Sequence, residues 1–248
     1  MFSRKKKSDL KKPDLPATII LQGYDIEIKL RRNARARRLI LRQDIQRGGF
    51  TLTLPKRTSL AMAERFIHAQ TDWLLKHHAG LSVPQKFQPG DQFPLIGRMV
   101  RIEHDNQRLR GLVRLDEDRL IVPGDPSHLH RRVRDYLKEQ IRATLTARLH
   151  DKASRIDRQI KRIRIADQKT RWGSCSSTGT LSFSCRLVFA PEFVIDYLAA
   201  HEVAHMRHMD HSTDFWTLCR QLCDTGQMTE AKAWLKQNQS MLMHYAMD

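Results

Sequence analysis

Between residues 16 and 56, apolar and polar side chains alternate in short runs. Ile19 and Leu21 form the first, Ile26, Ile28 and Leu30 the second, Leu39 and Leu41 the third, and Phe50, Leu52 and Leu54 the fourth. A period of two puts every second side chain on one face of a pleated strand, so this stretch predicts strands with turns at Gly23 and Gly48-Gly49. From 58 to 79 the period changes. Ala63, Phe66, Ile67, Trp73 and Leu74 fall on one broad face of a helix that Ser59 can cap. Pro84, Pro89-Gly90 and Pro94 interrupt the pattern, and a second strand set is expected at about 93–103, 111–116 and 119–122.

Beyond Ser127 the chain reads as helix. Val133, Leu137, Ile141, Leu145 and Leu149 recur at every fourth position up to Ser154, with Ser127 as the expected cap. A strand at about 160–165, a loop at Arg171-Trp172-Gly173-Ser174-Cys175, a strand at about 180–189 and helices from Pro191 and at about 212–223 and 228–238 complete the order. The strand at 181–188 is expected to present an edge to an extended peptide. No internal repeat is read. The expected class is α+β: a basic disordered tail over 1–15, a β-rich subdomain over 16–125, and a helical subdomain over 126–248 packed against it.

One helix carries candidate chemistry. In His201-Glu202-Val203-Ala204-His205 the two histidines are four apart, one above the other on a helix, and can share a metal ion. Glu202 can then take a proton from water, and a third protein ligand leaves one tetrahedral position open for the reaction. His208 continues the same face but sits roughly 10 Å along the axis from His201 at 1.5 Å per residue. His211 is the better third ligand. It reaches back if the helix ends near His208, with His208 at positive φ or Asp210 turning the chain through its side chain. Three imidazoles suit one Zn²⁺ per chain, and peptide or protein amides are the expected substrate.

The segment Lys169-Thr170-Arg171-Trp172-Gly173-Ser174-Cys175-Ser176 resembles a signature of the YgjP-like metallopeptidase-domain family, relatives of the SprT-like zinc proteases. The stretch Leu181-Ser182-Phe183-Ser184-Cys185-Arg186-Leu187-Val188-Phe189-Ala190-Pro191 is similar to the same family, as is His211-Ser212 with Phe215-Trp216. Asp210 stands where that family usually has Asn. The resemblance is specific over 169–216 and diffuse over the rest of 16–245. It implies a zincin-like (gluzincin or SprT-like) helical catalytic subdomain with His201, His205 and His211 as ligands and Glu202 as base. It also implies that the loop bearing Arg171 and Trp172 reaches toward the metal helix and touches substrate.

Composition narrows the remaining choices. No run approaches 18 apolar residues, and Met1-Phe2-Ser3-Arg4-Lys5-Lys6-Lys7 lacks the apolar stretch of a secretory signal. Four cysteines in 248 residues do not make a disulfide scaffold, so a reducing cytoplasm is the expected location. Cys219 and Cys223 read as buried thiols; a Cys₄ zinc site with Cys175 and Cys185 is the competing reading. His244 and Tyr245 are further donors to weigh.

The formal charge of +17 gathers in three places. These are the tail, a cluster at Arg31, Arg32, Arg35, Arg37, Arg38 and Arg42, and a run from Arg131 to Arg164. Such fields attract nucleic acid without reading its sequence, and the long run is the expected surface. Two alternative functions follow: hydrolysis of nucleotide phosphoanhydrides (a pyrophosphatase), with arginines holding phosphate, and proteolysis targeted to nucleic-acid-bound proteins.

Overall fold

The computed structural model describes residues 15–21, 24–44, 48–78, 84–108, 110–168 and 170–247. The expected basic tail up to residue 14, the Gly23 turn and Lys169 lie outside them. Among the described residues the chain is a mixed α/β protein of seven helices and three small sheets. It divides into two compact units after Pro84.

The first unit contains β1 (Leu15–Leu21), β2 (Tyr24–Asn33), β3 (Ile40–Asp44), β4 (Gly49–Pro55), α1 (Leu60–Ala69) and α2 (Thr71–His78). The sheet order is β1-β2-β4-β3, with β2 and β4 parallel and both outer pairs antiparallel. Alternation works as expected. Ile26, Ile28, Phe50, Leu52 and Leu54 are buried with Ala63, Ile67 and Leu74 from the helices. Ser59 caps α1 by accepting from the Met62 amide at 3.2 Å. The single helix expected over 58–79 is two, because the Thr71 hydroxyl takes the His68 carbonyl at 2.7 Å and the chain leaves helical geometry at Gln70.

The second unit opens with β5 (Gln92–Leu95), β6 (Arg98–Asp105), β7 (Arg114–Asp116) and β8 (Arg119–Pro123), then α3 (Leu129–Ser154). Its sheet order is β5-β6-β8-β7, again with a parallel central pair and antiparallel flanks. This is the topology of the first unit repeated, and a helix follows in both. By register, Leu21, Ile26, Ile28, Phe50 and Leu52 correspond to Leu95, Val100, Ile102, Leu120 and Val122. The repeat escapes a search at fixed spacing, since Ile28 to its partner Phe50 spans 22 positions and Ile102 to its partner Leu120 only 18. The expectation of no repeat is corrected accordingly.

Two further expectations change here. The boundary anticipated at 125/126 falls inside the second unit, because Phe93, Val100, Ile102, Leu120 and Val122 share one core with Val133, Leu137 and Ile141 of α3. Ser127 does not cap α3, which begins after His128 without a side-chain cap. The Asp125 carboxylate accepts from the Ser127 amide at 2.8 Å and hydroxyl at 2.6 Å, starting a short 3-10 turn that leads into α3.

The rest of the unit comprises β9 (Arg162–Ala166), β10 (Gly173–Cys175), β11 (Thr180–Ser184), a 3-10 turn over Cys185–Phe189, α4 (Glu192–Ala204), α5 (Thr213–Leu222), α6 (Met228–Gln237) and α7 (Gln239–Leu242). Helix α4 is buried on nearly every side, from Val194 to Ala200 and again from Glu202 to Ala204, and packs against α3, α5, α6 and β10. Such all-round burial marks a central helix rather than a surface one.

Buried charges pin this core. Lys152 of α3, fully buried, meets Asp196 of α4 at 2.7 Å, Asp224 at 2.5 Å and the Leu222 carbonyl at 2.6 Å. Arg186, also buried, donates to both carboxylate oxygens of Asp167 at 2.6 and 3.1 Å. It also donates to the carbonyls of Leu242 at 3.2 Å and Tyr245 at 2.8 Å. Each guanidinium or ammonium is thus matched by acceptors, the condition under which a buried charge is tolerated.

Candidate metal centre

Helix α4 ends at Ala204, with His205 as its cap, so the chain is free to turn one residue after the second histidine of the motif. The Asp210 side chain then accepts from the Ser212 amide at 3.3 Å, and Ser212 caps α5 through the Phe215 amide at 3.4 Å. No described residue from 205 to 212 has positive φ, so of the two expected devices the Asp210 side chain makes the turn.

This path returns His211 to the helix. One nitrogen each from His201, His205 and His211 lies within 4.8 Å of the others, and Nε2 of His201 and His211 are 3.4 Å apart. Nitrogens at tetrahedral corners about 2.0–2.1 Å from a zinc ion sit roughly 3.4 Å from one another, a spacing the His201–His211 pair has. His208 is not part of the triad. Its carbonyl accepts from Nδ1 of His205 at 3.0 Å, which puts the proton there and leaves the Nε2 lone pair for a metal.

Electrostatics point the same way. Burial, then the neighbouring imidazoles, push His201 down to about 4, and burial also lowers His205, so both rings are neutral near pH 7. The His201 Nδ1 is buried without a hydrogen-bond partner among the described residues. Glu202 is 4% exposed and its Oε2 likewise lacks one. Burial raises its carboxyl to about 7, opposed by the positive charge of Arg171.

Phe215 forms a floor, its ring centroid 5.0, 4.4 and 4.8 Å from those of His201, His205 and His211. Trp216 stands beside His211 at 5.6 Å, and Lys232 of α6 sits over the Trp216 ring at 3.8 Å. Lys232 and the packing role of Phe215 went unread in the sequence, because both depend on α5 and α6 folding back on α4.

Strand β10 completes the site. An ideal Cβ on Gly173 would lie 2.9 Å from both Cγ and Cδ of Glu202, closer than real Cβ contacts come, so only glycine lets the carboxylate pass. We expect Gly173→Ala to keep fold and metal content while turnover falls about a hundredfold, the cost of misplacing a reacting group by about 1 Å. Wild-type turnover in this variant would show that Glu202 has room to spare. Arg171 is exposed and acts on Glu202 through its charge, whereas Trp172 is half-buried against the core, its carbonyl accepting from the Ser184 amide at 2.9 Å.

Two other expectations are corrected and one is met. Strand β11 is the centre of the order β10-β11-β9, paired on both sides, and residues 185–189 are 3-10 turn, so the edge beside Glu202 belongs to β10. Cys219 and Cys223 are the buried thiols expected, all four cysteines are free, and among the described residues the histidine triad is the group so placed that it could hold a metal ion. Tyr245 stacks on Phe87 at 4.4 Å within a cluster holding Phe93 and Phe189, which makes it a packing residue. No described helix is long and apolar enough to cross a membrane.

A comparison with curated proteins found no match. Among solved structures, the crystal structure of the metallopeptidase zymogen of Pyrococcus abyssi abylysin is similar at 20% identity and a TM-score of 0.34. The likeness covers 38% of this chain and 95% of that chain. The family model described as YgjP-like, metallopeptidase domain, matches residues 6–238, and the chain belongs to that family.

Proposed function

We propose that this chain is a zinc-dependent metallopeptidase with a zincin-like catalytic unit. His201, His205 and His211 hold one zinc per chain, and Glu202 is the general base. The observation that carries the reading is the meeting of three imidazoles and a buried glutamate beside the edge strand β10. When bound, zinc supplies a Lewis acid that polarises a carbonyl and brings water's ionisation toward neutral pH.

The protein groups do the rest. The His208 carbonyl fixes the His205 ring, and Phe215 fixes the triad from below. Glu202 takes a proton from the attacking water at its carboxylate and delivers it to the departing amine. An extended peptide laid on β10 would satisfy that strand's open edge and read backbone rather than sequence. Arg171 and Trp172 flank that approach as substrate contacts. The expected setting is the cytoplasm. Phosphoanhydride hydrolysis would be favoured by a second, carboxylate-rich metal group; the group found among the described residues is all histidine.

Elemental analysis should find about one zinc per chain, although nickel and copper compete for imidazole sites. His201→Ala and His205→Ala should each lose it, and His211→Ala should weaken binding more than His208→Ala. Unchanged zinc in the first two variants would remove the site. A screen of metal-replete protein should cleave unstructured peptides and leave nucleoside triphosphates intact. Hydrolysis of triphosphates alone would replace the peptidase reading.

A further inference from the structure

The first unit carries a concentration of charge that nothing in the metal centre uses. Residues 29–42 hold seven Lys or Arg and no Asp or Glu. The parallel pairing of β2 with β4 sets Asn33 opposite Pro55, bringing Lys56 and Arg57 to the same end of the sheet. Arg32 seals that junction by donating to the carbonyls of Lys56 at 3.3 Å and Thr58 at 2.8 Å. Arg42, Thr51 and Lys29 form one cross-strand row, and Thr53 and Arg31 belong to the next, all on the face turned away from the core.

Arg31, Arg35, Arg37, Arg38, Arg42 and Arg57 are exposed, and among the described residues none of them has a carboxylate partner. The long run on and after α3, the surface expected from sequence, is different. There Arg134 pairs with Asp135, Arg142 with Glu139, Arg148 with Glu192 and Asp196, and Arg155 with Asp151 and Asp224, while Lys152 is buried. Much of the charge on that run is spent inside the molecule.

The repeated sheet supplies an internal control. At the same place in the topology, residues 103–116 mix Glu103, Asp105 and Asp116 with Arg108, Arg110 and Arg114. Arg108 pairs with Asp105 there, and Arg119 with Glu103 and Asp116. The topology therefore does not need an acid-free segment. Like charges held side by side destabilise a sheet, so the first copy bears a cost that a bound polyanion would offset.

We propose that this end of the first unit's sheet, centred on Arg31, Arg35, Arg37, Arg38 and Arg57, binds the phosphate backbone of nucleic acid. Six of the seven cations in 29–42 are arginine, whose planar fork matches phosphate oxygens two at a time. The patch has no aromatic side chain among it, so it reads phosphate and not base.

The test uses the full chain and a fluorescein-labelled oligodeoxythymidine, followed by anisotropy at rising salt. With about four phosphates engaged, affinity should fall roughly 50-fold over a fourfold rise in salt. Oligodeoxyadenosine should bind alike. The loop variant Arg35→Gln/Arg37→Gln/Arg38→Gln, whose side chains are exposed and whose fold is checked by circular dichroism, should bind at least tenfold more weakly and show a shallower salt slope. Arg131→Gln/Lys138→Gln/Arg142→Gln and deletion of residues 2–12 should each change affinity less than threefold. The proposal falls if either control loses as much as the loop variant, or if the loop variant binds normally. It also falls if nothing binds at low salt, or if phosphatidylserine vesicles bind through the loop while the oligonucleotide does not.

Discussion

Glu202→Gln should lower peptide turnover by about 10²–10⁴-fold while leaving zinc content and melting temperature unchanged. The amide has the same shape and passes Gly173 as the carboxylate does, but it cannot accept a proton from water, the role proposed for Glu202. Substitution also removes a carboxyl whose burial raises it to about 7, so the neutral amide meets no new desolvation penalty. Turnover near wild type would place the base elsewhere. Lost zinc would instead show that the carboxylate helps hold the ion. Measuring metal and activity on one preparation separates the two.

Lys152→Ala should destabilise the chain by about 3–5 kcal/mol, measured by urea unfolding at fixed metal content, because it takes the 2.7 Å ammonium from the buried Asp196 carboxylate and leaves it Arg148 at 3.7 Å as its cation. The neighbouring Asp224 adds a dependence on pH. Hydrogen bonds from Arg155 and then Lys152 hold its carboxyl below the ordinary value of 3.8. A depressed carboxylate contributes stability that is fully present above its unfolded pKa and lost as pH falls through the folded one. Wild type should therefore weaken below about pH 4, and Asp224→Asn, less stable at neutral pH, should weaken less on the same acidification. An unmoved urea midpoint in Lys152→Ala would mean that the cation contributes nothing net.

Much of this was legible from residue order, and the missing parts share a cause. Period-two runs located β2 and β4, and the fourfold recurrence from Val133 to Leu149 located α3, because those patterns depend only on which face is wet. His201 and His205 were legible because four residues on a helix make one neighbourhood. What sequence spacing cannot carry is pairing across distance. The parallel pairing of β2 with β4 skips β3, and β11 takes the sheet centre only because β9, about 18 positions earlier, joins it. Lys152 did fall on the core side, three residues after Leu149, but its partners Asp196 and Asp224 lie 44 and 72 positions away. Gly173 gave no sign beyond being glycine. Its meaning appears once Glu202 stands against it.

The buried guanidinium of Arg186 bears on how the enzyme is made. Half of its acceptors, the carbonyls of Leu242 and Tyr245, come 56 and 59 positions after it. A ribosome delivers His201, His205 and His211 well before those carbonyls. Until residues 242–245 emerge, a cation matched only by Asp167 opposes closure of the core on which α4 rests. Closure of the core beneath the histidine triad is thereby tied to the arrival of a segment far along the chain from the triad itself.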